Sequence, residues 1–139
     1  MSVVTYFVET SQGYLDTAAE TQFGSVAATV GRFSSLELQT HYSQPQDIAF
    51  LPDGKLLIAD GLGNARIVVR NADGSFHSQF GERGKQAHQF SSVHALALGP
   101  EERLYALDRD NLDVKVFEQT AARDSAAYPQ YEYLTTWSG

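Results

Sequence analysis

Along most of the chain the apolar positions come in short bursts, broken by turn residues, and rarely at the spacing of an amphipathic helix. From residue 44 onward the bursts fall at residues 47–51, 55–59, 66–70 and 75–80. Between them stand Pro52-Asp53-Gly54, Gly61-Leu62-Gly63-Asn64 and Asn71-Ala72-Asp73-Gly74. Glycine supplies positive φ, proline presets φ near −65°, and Asp and Asn side chains close local turns, so these clusters predict tight reversals between short strands.

The pattern then repeats. Gln44-Pro45-Gln46-Asp47-Ile48-Ala49-Phe50-Leu51-Pro52 lies over Ser92-Val93-His94-Ala95-Leu96-Ala97-Leu98-Gly99-Pro100. In the same register Lys55-Leu56-Leu57-Ile58-Ala59-Asp60 lies over Arg103-Leu104-Tyr105-Ala106-Leu107-Asp108. One residue of slippage later, Asn64-Ala65-Arg66-Ile67-Val68-Val69 lies over Asn111-Leu112-Asp113-Val114-Lys115-Val116. The fourth run of the second copy is 131–137, reached through an alanine-rich stretch at 120–130. Four antiparallel strands per roughly 45 residues is the arithmetic of a propeller blade.

The first 43 residues are harder to assign. Residues 3–9 are β-branched and aromatic, as in a strand. Residues 25–30 can be laid over the fourth run of the first copy, which makes them another strand. The rival for 17–30 is a helix: Thr17 and Glu20 form a capping box, and Ala19, Phe23, Val26, Ala27 and Val30 keep helical spacing. The expected division is residues 1–43 as the third and fourth strands of a partial blade with a connecting loop, 44–88 as one full blade, and 89–139 as a second. The expected fold is all-β, built of four-stranded antiparallel blades. Its ring stays incomplete unless oligomerisation completes it, because a propeller takes four to eight blades to close.

Composition narrows the functions. The 139 residues are 42% apolar, enough for a packed core. Lys and Arg number 10 against 17 Asp and Glu, a net charge of -7, so a broad nucleic-acid or anionic-membrane surface is not expected. The absence of cysteine excludes disulfides, zinc–thiolate sites and thiol nucleophiles. Neither a signal peptide nor an apolar run long enough to span a bilayer is visible, so the sequence as written reads as soluble and cytoplasmic.

Pro45-Gln46-Asp47-Ile48-Ala49, Ile58-Ala59-Asp60 and Asn64-Ala65-Arg66-Ile67-Val68-Val69 resemble the NHL repeat. Tyr42-Ser43-Gln44-Pro45-Gln46-Asp47, Ser91-Ser92-Val93-His94-Ala95-Leu96-Ala97-Leu98 and Asp108-Arg109-Asp110-Asn111, with Gly31-Arg32 upstream, are similar to one class of NHL protein, the peptidyl-α-hydroxyglycine α-amidating lyases. That resemblance implies a six-bladed propeller with zinc held near its channel by three histidines. The family cleaves peptidyl-α-hydroxyglycine to a peptide amide and glyoxylate, with a tyrosine as base and arginines holding the substrate. His94 matches a zinc-ligand histidine of that family, and Arg109 matches an arginine of its active site. Leu62 stands at the position of the catalytic tyrosine, and the other two zinc histidines belong to blades this sequence does not supply.

Each of these residues also has a plainer reading. His94 alone is a structural histidine beside a strand, since one protein ligand does not hold zinc. Arg109 lies between two acids, as a salt-bridged loop arginine would, against the alternative of a channel-facing anion clamp. Asp60 and Asp108 end the second strand of each repeat and are expected to cap turns rather than bind calcium or act as bases. His41 and His88 precede the first strands and are expected to be solvated, and Trp137 shares the last apolar place of the fourth strand with Phe80.

The function these residues suggest first is a non-catalytic propeller scaffold that binds a peptide or protein partner. A zinc-dependent amidating lyase completed by assembly is the alternative, and a truncated remnant without its own function is the third. A homo-oligomer, dimer or trimer, is the expected partner state; zinc is the only cofactor implied, and neither nucleic acid nor membrane is expected.

Overall fold

The structure, a computed structural model, describes residues 41–139. The strands expected at 3–9 and 25–30, and the helix that rivals the second, lie outside the described residues. The chain from residue 47 builds two antiparallel four-stranded sheets. The first holds β1 (Asp47–Phe50), β2 (Leu56–Asp60), β3 (Arg66–Arg70) and β4 (Phe76–Phe80), side by side in chain order. Two short strands follow, β5 (Glu82–Arg83) and β6 (Gln89–Phe90). The second sheet holds β7 (Val93–Leu98), β8 (Leu104–Asp108), β9 (Asp113–Gln119) and β10 (Tyr131–Ser138), again as a meander. Each is one propeller blade, and the described residues are all-β, with two blades and no closed ring among them.

The turns form where the sequence punctuates them. Leu51 donates its N–H to the carbonyl of Lys55 and accepts from Gly54, which sits at φ +91°. Asn71, Ser75 and Gly74 (φ +89°) repeat that arrangement between β3 and β4. A side chain at such φ is strained, which is why glycine recurs there. The turn between β7 and β8 uses instead a short 3-10 segment, Pro100–Glu102.

The two blades stack face to face, and their common core lies in the seam. Leu57, Ala59, Ile67 and Val69 from one face of the first blade meet Leu96, Leu104, Ala106 and Phe117 of the second. The Phe80 ring joins them, 5.3 Å from Phe117 edge-on and 5.4 Å from Tyr131 in a stack. Two glycines let the backbones close in. A Cβ on Gly61 would stand 2.4 Å from the Val93 carbonyl oxygen, and one on Gly81 would stand 2.7 Å from the Phe90 ring. Across the seam the Asp47 carboxylate accepts the backbone N–H of Leu96 at 2.8 Å.

The 120–130 segment ties the blades at the far rim. Tyr128 is buried there, its hydroxyl donating to Glu102 Oε2 at 2.8 Å, with Lys55 Nζ 5.2 Å above its ring. Burial raises the phenol pKa of Tyr131 beside it, although Gln119 donates to that hydroxyl at 3.0 Å.

The opposite face of the second blade is open. Trp137 does not share the packed position of Phe80; it is 56% exposed and rests on Tyr105, ring centres 5.3 Å apart. With Ala95, Ala97, Tyr105, Leu107 and Val114 next to it, this face carries an apolar trough of about 230 Å³. Among the described residues no helix is long and apolar enough to cross a membrane.

Candidate functional site on the ring face

The segments leading into the two blades are held by equivalent carboxylates. Asp60, at the end of β2, accepts the N–H of Ser43 at 2.8 Å, the Asn64 amide at 2.7 Å and Arg66 Nε at 2.7 Å. Asp108, at the end of β8, accepts the N–H groups of Ser91 and Ser92 at 2.8 and 2.9 Å and the Asn111 amide at 2.7 Å. Both are fully buried, so each is a strut rather than a base or a calcium ligand. Burial pushes the Asp60 carboxyl above its ordinary value, against the pull of Arg66 and the amide donors. Tyr42 packs below, pushed up to about 12 by burial, with Arg70 Nε donating to its hydroxyl at 2.7 Å.

These struts bring three sequence-marked positions to one place. Leu62 follows Gly61, which lies against the carbonyl of Val93, the neighbour of His94. The Arg109 N–H donates to the Ser92 carbonyl at 3.1 Å. The Leu62 loop and the Arg109 backbone therefore lie against residues 91–94, the segment that carries His94, at the end of the seam where β7 begins.

Arg83 fastens this corner. Its guanidinium donates to the carbonyls of Leu62 at 2.7 Å, Gly63 at 3.2 Å and Ser91 at 3.1 Å, joining the β2–β3 loop to the lead of the second blade. The parallel pairing of β5 with β6 sets Arg83 there. Nothing in the mixed-charge stretch Glu82-Arg83-Gly84-Lys85 announces that role, because the acceptors are backbone carbonyls far off in sequence.

The side chains differ in their readiness for chemistry. Leu62 neither transfers a proton nor ligates a metal. Arg109 is half exposed and bonds Asp110 Oδ1 through Nε at 3.0 Å. His94 occupies the β-bulge that breaks the β7–β8 register between Val93 and Ala95. It is half-buried, and its Nδ1 is buried without a protein hydrogen-bond partner; the Ser92 hydroxyl, two residues before it, is in the same condition. His88 is exposed beside Glu82, Nε2 to Oε1 3.3 Å, and the carbonyl of His41 accepts from Arg66 at 2.7 Å.

Zinc fits this corner poorly. A catalytic zinc takes three protein ligands, and among the described residues no group of three His, Cys, Asp or Glu side chains is placed to hold a metal ion.

Two consecutive four-stranded blades, stacked face to face with their lead segments pinned by Asp60 and Asp108, make the chain part of an all-β propeller. Its homologues, over part of its length, are the peptidylglycine α-amidating enzymes. It is 37% identical over 86 residues, 58% of this chain, to the peptidylglycine alpha-amidating monooxygenase of Rattus norvegicus, and the Mus musculus enzyme matches equally. It is 28% identical over 96 residues, 67% of this chain, to a Caenorhabditis elegans protein named probable peptidyl-alpha-hydroxyglycine alpha-amidating lyase. The matched segment amounts to 9% of each monooxygenase and 27% of the nematode protein. No family model matches the chain.

Proposed function

We propose that the chain is a propeller scaffold of amidating-lyase type whose ring face, at Leu62, His94 and Arg109, binds a peptide or protein partner without catalysing a reaction on it. The observation that carries this is Leu62. The loop that Gly61 and Arg83 hold against the head of β7 carries, where the resemblance to the lyases sets their base, a side chain that cannot accept a proton. What remains suits recognition: an imidazole, an exposed guanidinium of a geometry that pairs with carboxylates, and an apolar side chain. The net charge of -7 weighs against RNA as the ligand.

The test is a pair of assays on the full chain, with a peptide ending in α-hydroxyglycine and the same peptide ending in a free glycine carboxylate. Glyoxylate release from the first, with or without added zinc, overturns the scaffold reading. Binding of the second, weakened about tenfold by Arg109→Ala, supports it; a factor of ten is roughly 1.4 kcal/mol.

A second reading is favoured by the relatives. In it the chain contributes His94 and Arg109 to an amidating lyase completed by further copies, as a dimer or trimer that closes the ring. Release of glyoxylate that rises with protein concentration distinguishes it.

A further inference from the structure

β4 ends the first sheet with one edge unpaired. It bonds to β3 alone, and among the described residues nothing outside β3 donates to or accepts from its backbone. In an antiparallel pair alternate residues turn N–H and C=O away from the partner strand, so this edge offers free donors and acceptors. Such edges are usually blunted by charged residues or proline. β4 reads Phe76-His77-Ser78-Gln79-Phe80, with no acid, lysine, arginine or proline.

The edge borders a cleft of about 440 Å³, a size usual for binding sites. Residues 77–80 line it together with Ala126, Ala127, Pro129 and Gln130 of the β9–β10 connection. Phe80 and Tyr131, whose rings stack at 5.4 Å, also border it. No acid, lysine or arginine lines the cleft, in a chain of net charge -7.

We infer that this cleft is a docking site for an extended, uncharged peptide segment of a partner protein, which adds to the first blade as a further strand beside β4. Main-chain hydrogen bonds to the free edge give the attraction, and contacts to alternate side chains give the selectivity. A charged segment would lose hydration here and meet no counter-charge. The cleft suits one chain better than a second sheet. His77 is the extra residue where the β3–β4 register shifts, and such a bulge bends the strand and ends its regular edge, leaving Ser78–Phe80 for pairing. Neither Leu62, His94 nor Arg109 lines the cleft, so this surface is separate from the ring face.

The experiment is amide hydrogen exchange, read by NMR on the full chain, with a blocked peptide of alternating threonine and valine at millimolar concentration. Amides within residues 78–80 are expected to slow by about fivefold or more, while those of Ser92 and Arg109 stay unchanged. The effect is expected to persist between about 0.05 M and about 0.5 M salt, because no charge pair carries it. The same peptide methylated on its amide nitrogens lacks the main-chain donors and is expected to bind about tenfold more weakly or worse. Ala127 is exposed, so Ala127→Arg is expected to fold as the wild type does while crowding the cleft and weakening binding. Absence of protection in β4, protection at Ser92 and Arg109 in its place, or equal binding of the methylated peptide overturns the assignment. Protection of β4 that grows with protein concentration in the absence of peptide assigns the edge to a second copy and overturns it as well. The ring-face assays are independent of each of these outcomes.

Discussion

Lys115 does in the second blade what Arg66 does in the first, from a different place in the repeat. Arg66 pairs with Asp60 at 2.7 Å and lies over the Tyr42 ring at 5.7 Å. The position equivalent to Arg66 is Asp113, an acid. Lys115, two residues further along β9 and so on the same face, reaches back to Asp113 at 2.9 Å and to Asp108 at 3.9 Å, over the Phe90 ring at 5.8 Å. The repeat conserves a cation between a buried aspartate and an aromatic ring while moving the residue that supplies it.

Removing that cation leaves the buried Asp108 and the half-buried Asp113 without their lysine counter-charge. Lys115→Val, the residue of the first repeat, is therefore expected to destabilise the chain by about 3–5 kcal/mol. Adding Asp113→Arg restores the first blade's arrangement and is expected to recover most of the loss. Urea denaturation of the two variants checks this, and equal stability of the single and double variants would count against it.

Most of the fold was legible because the punctuation is local. Pro52-Asp53-Gly54 and Asn71-Ala72-Asp73-Gly74 announce their turns in place, and β3 spans residues 66–70 as expected. β2 runs one residue later than its apolar run, to Asp60, because the carboxylate that caps the turn also belongs to the strand. The β5–β6 pairing was not legible: a two-residue parallel bridge within a polar loop has no periodicity to show. The candidate site was legible only as positions. That Leu62, His94 and Arg109 converge depends on the close approach at Gly61 and on backbone hydrogen bonds from Arg83 and Arg109, which no residue spacing reveals. The exposure of Trp137 was equally hidden, because its repeat equivalent Phe80 is packed by a neighbouring blade.

Gly61 measures how tightly the blades must close beside His94. Gly61→Ala sets a methyl group 2.4 Å from a backbone oxygen, which no side-chain movement relieves. A loss of about 2 kcal/mol or more is expected, of the size that overpacking costs. Thermal melts check it, and a change within 0.5 kcal/mol would show that the seam yields.

Asp47 tests the seam from the other side. Asp47→Ala leaves the Leu96 N–H unpaired in the packed interface, at a cost of about 1–3 kcal/mol, whereas Asp47→Asn keeps an acceptor and is expected to lose less. Hydrogen exchange of the Leu96 amide should accelerate in the alanine variant more than in the asparagine one.

Tyr42 gives the chain an alkaline limit. Its folded pKa is raised from 10.0 to about 12, chiefly because burial penalises the phenolate. The folded state therefore holds the phenol proton more tightly than the unfolded state. The stability linked to it is intact below pH 10 and is lost progressively as the pH rises towards 12. Tyr42→Phe removes this titration together with the hydrogen bond from Arg70. The variant is expected to be less stable at neutral pH, with a shallower fall in stability through that alkaline window.

The open face of the second blade makes a prediction about association. Ala97, Tyr105, Leu107, Val114 and Trp137 lie at the repeat positions of Ala49, Leu57, Ala59, Ile67 and Phe80, which in the first blade form the seam or pack against it. Apolar faces of this kind are usually covered. Light scattering at micromolar concentration is expected to show a species larger than the monomer, with Trp137 emission shifted to the blue relative to a dilute sample. Trp137→Glu puts a charge on the β10 side of that face and is expected to return the chain to the monomer while leaving the seam between the blades intact. A wild type that stays monomeric at every concentration, with unshifted emission, would mean that two blades tolerate the open face unaided.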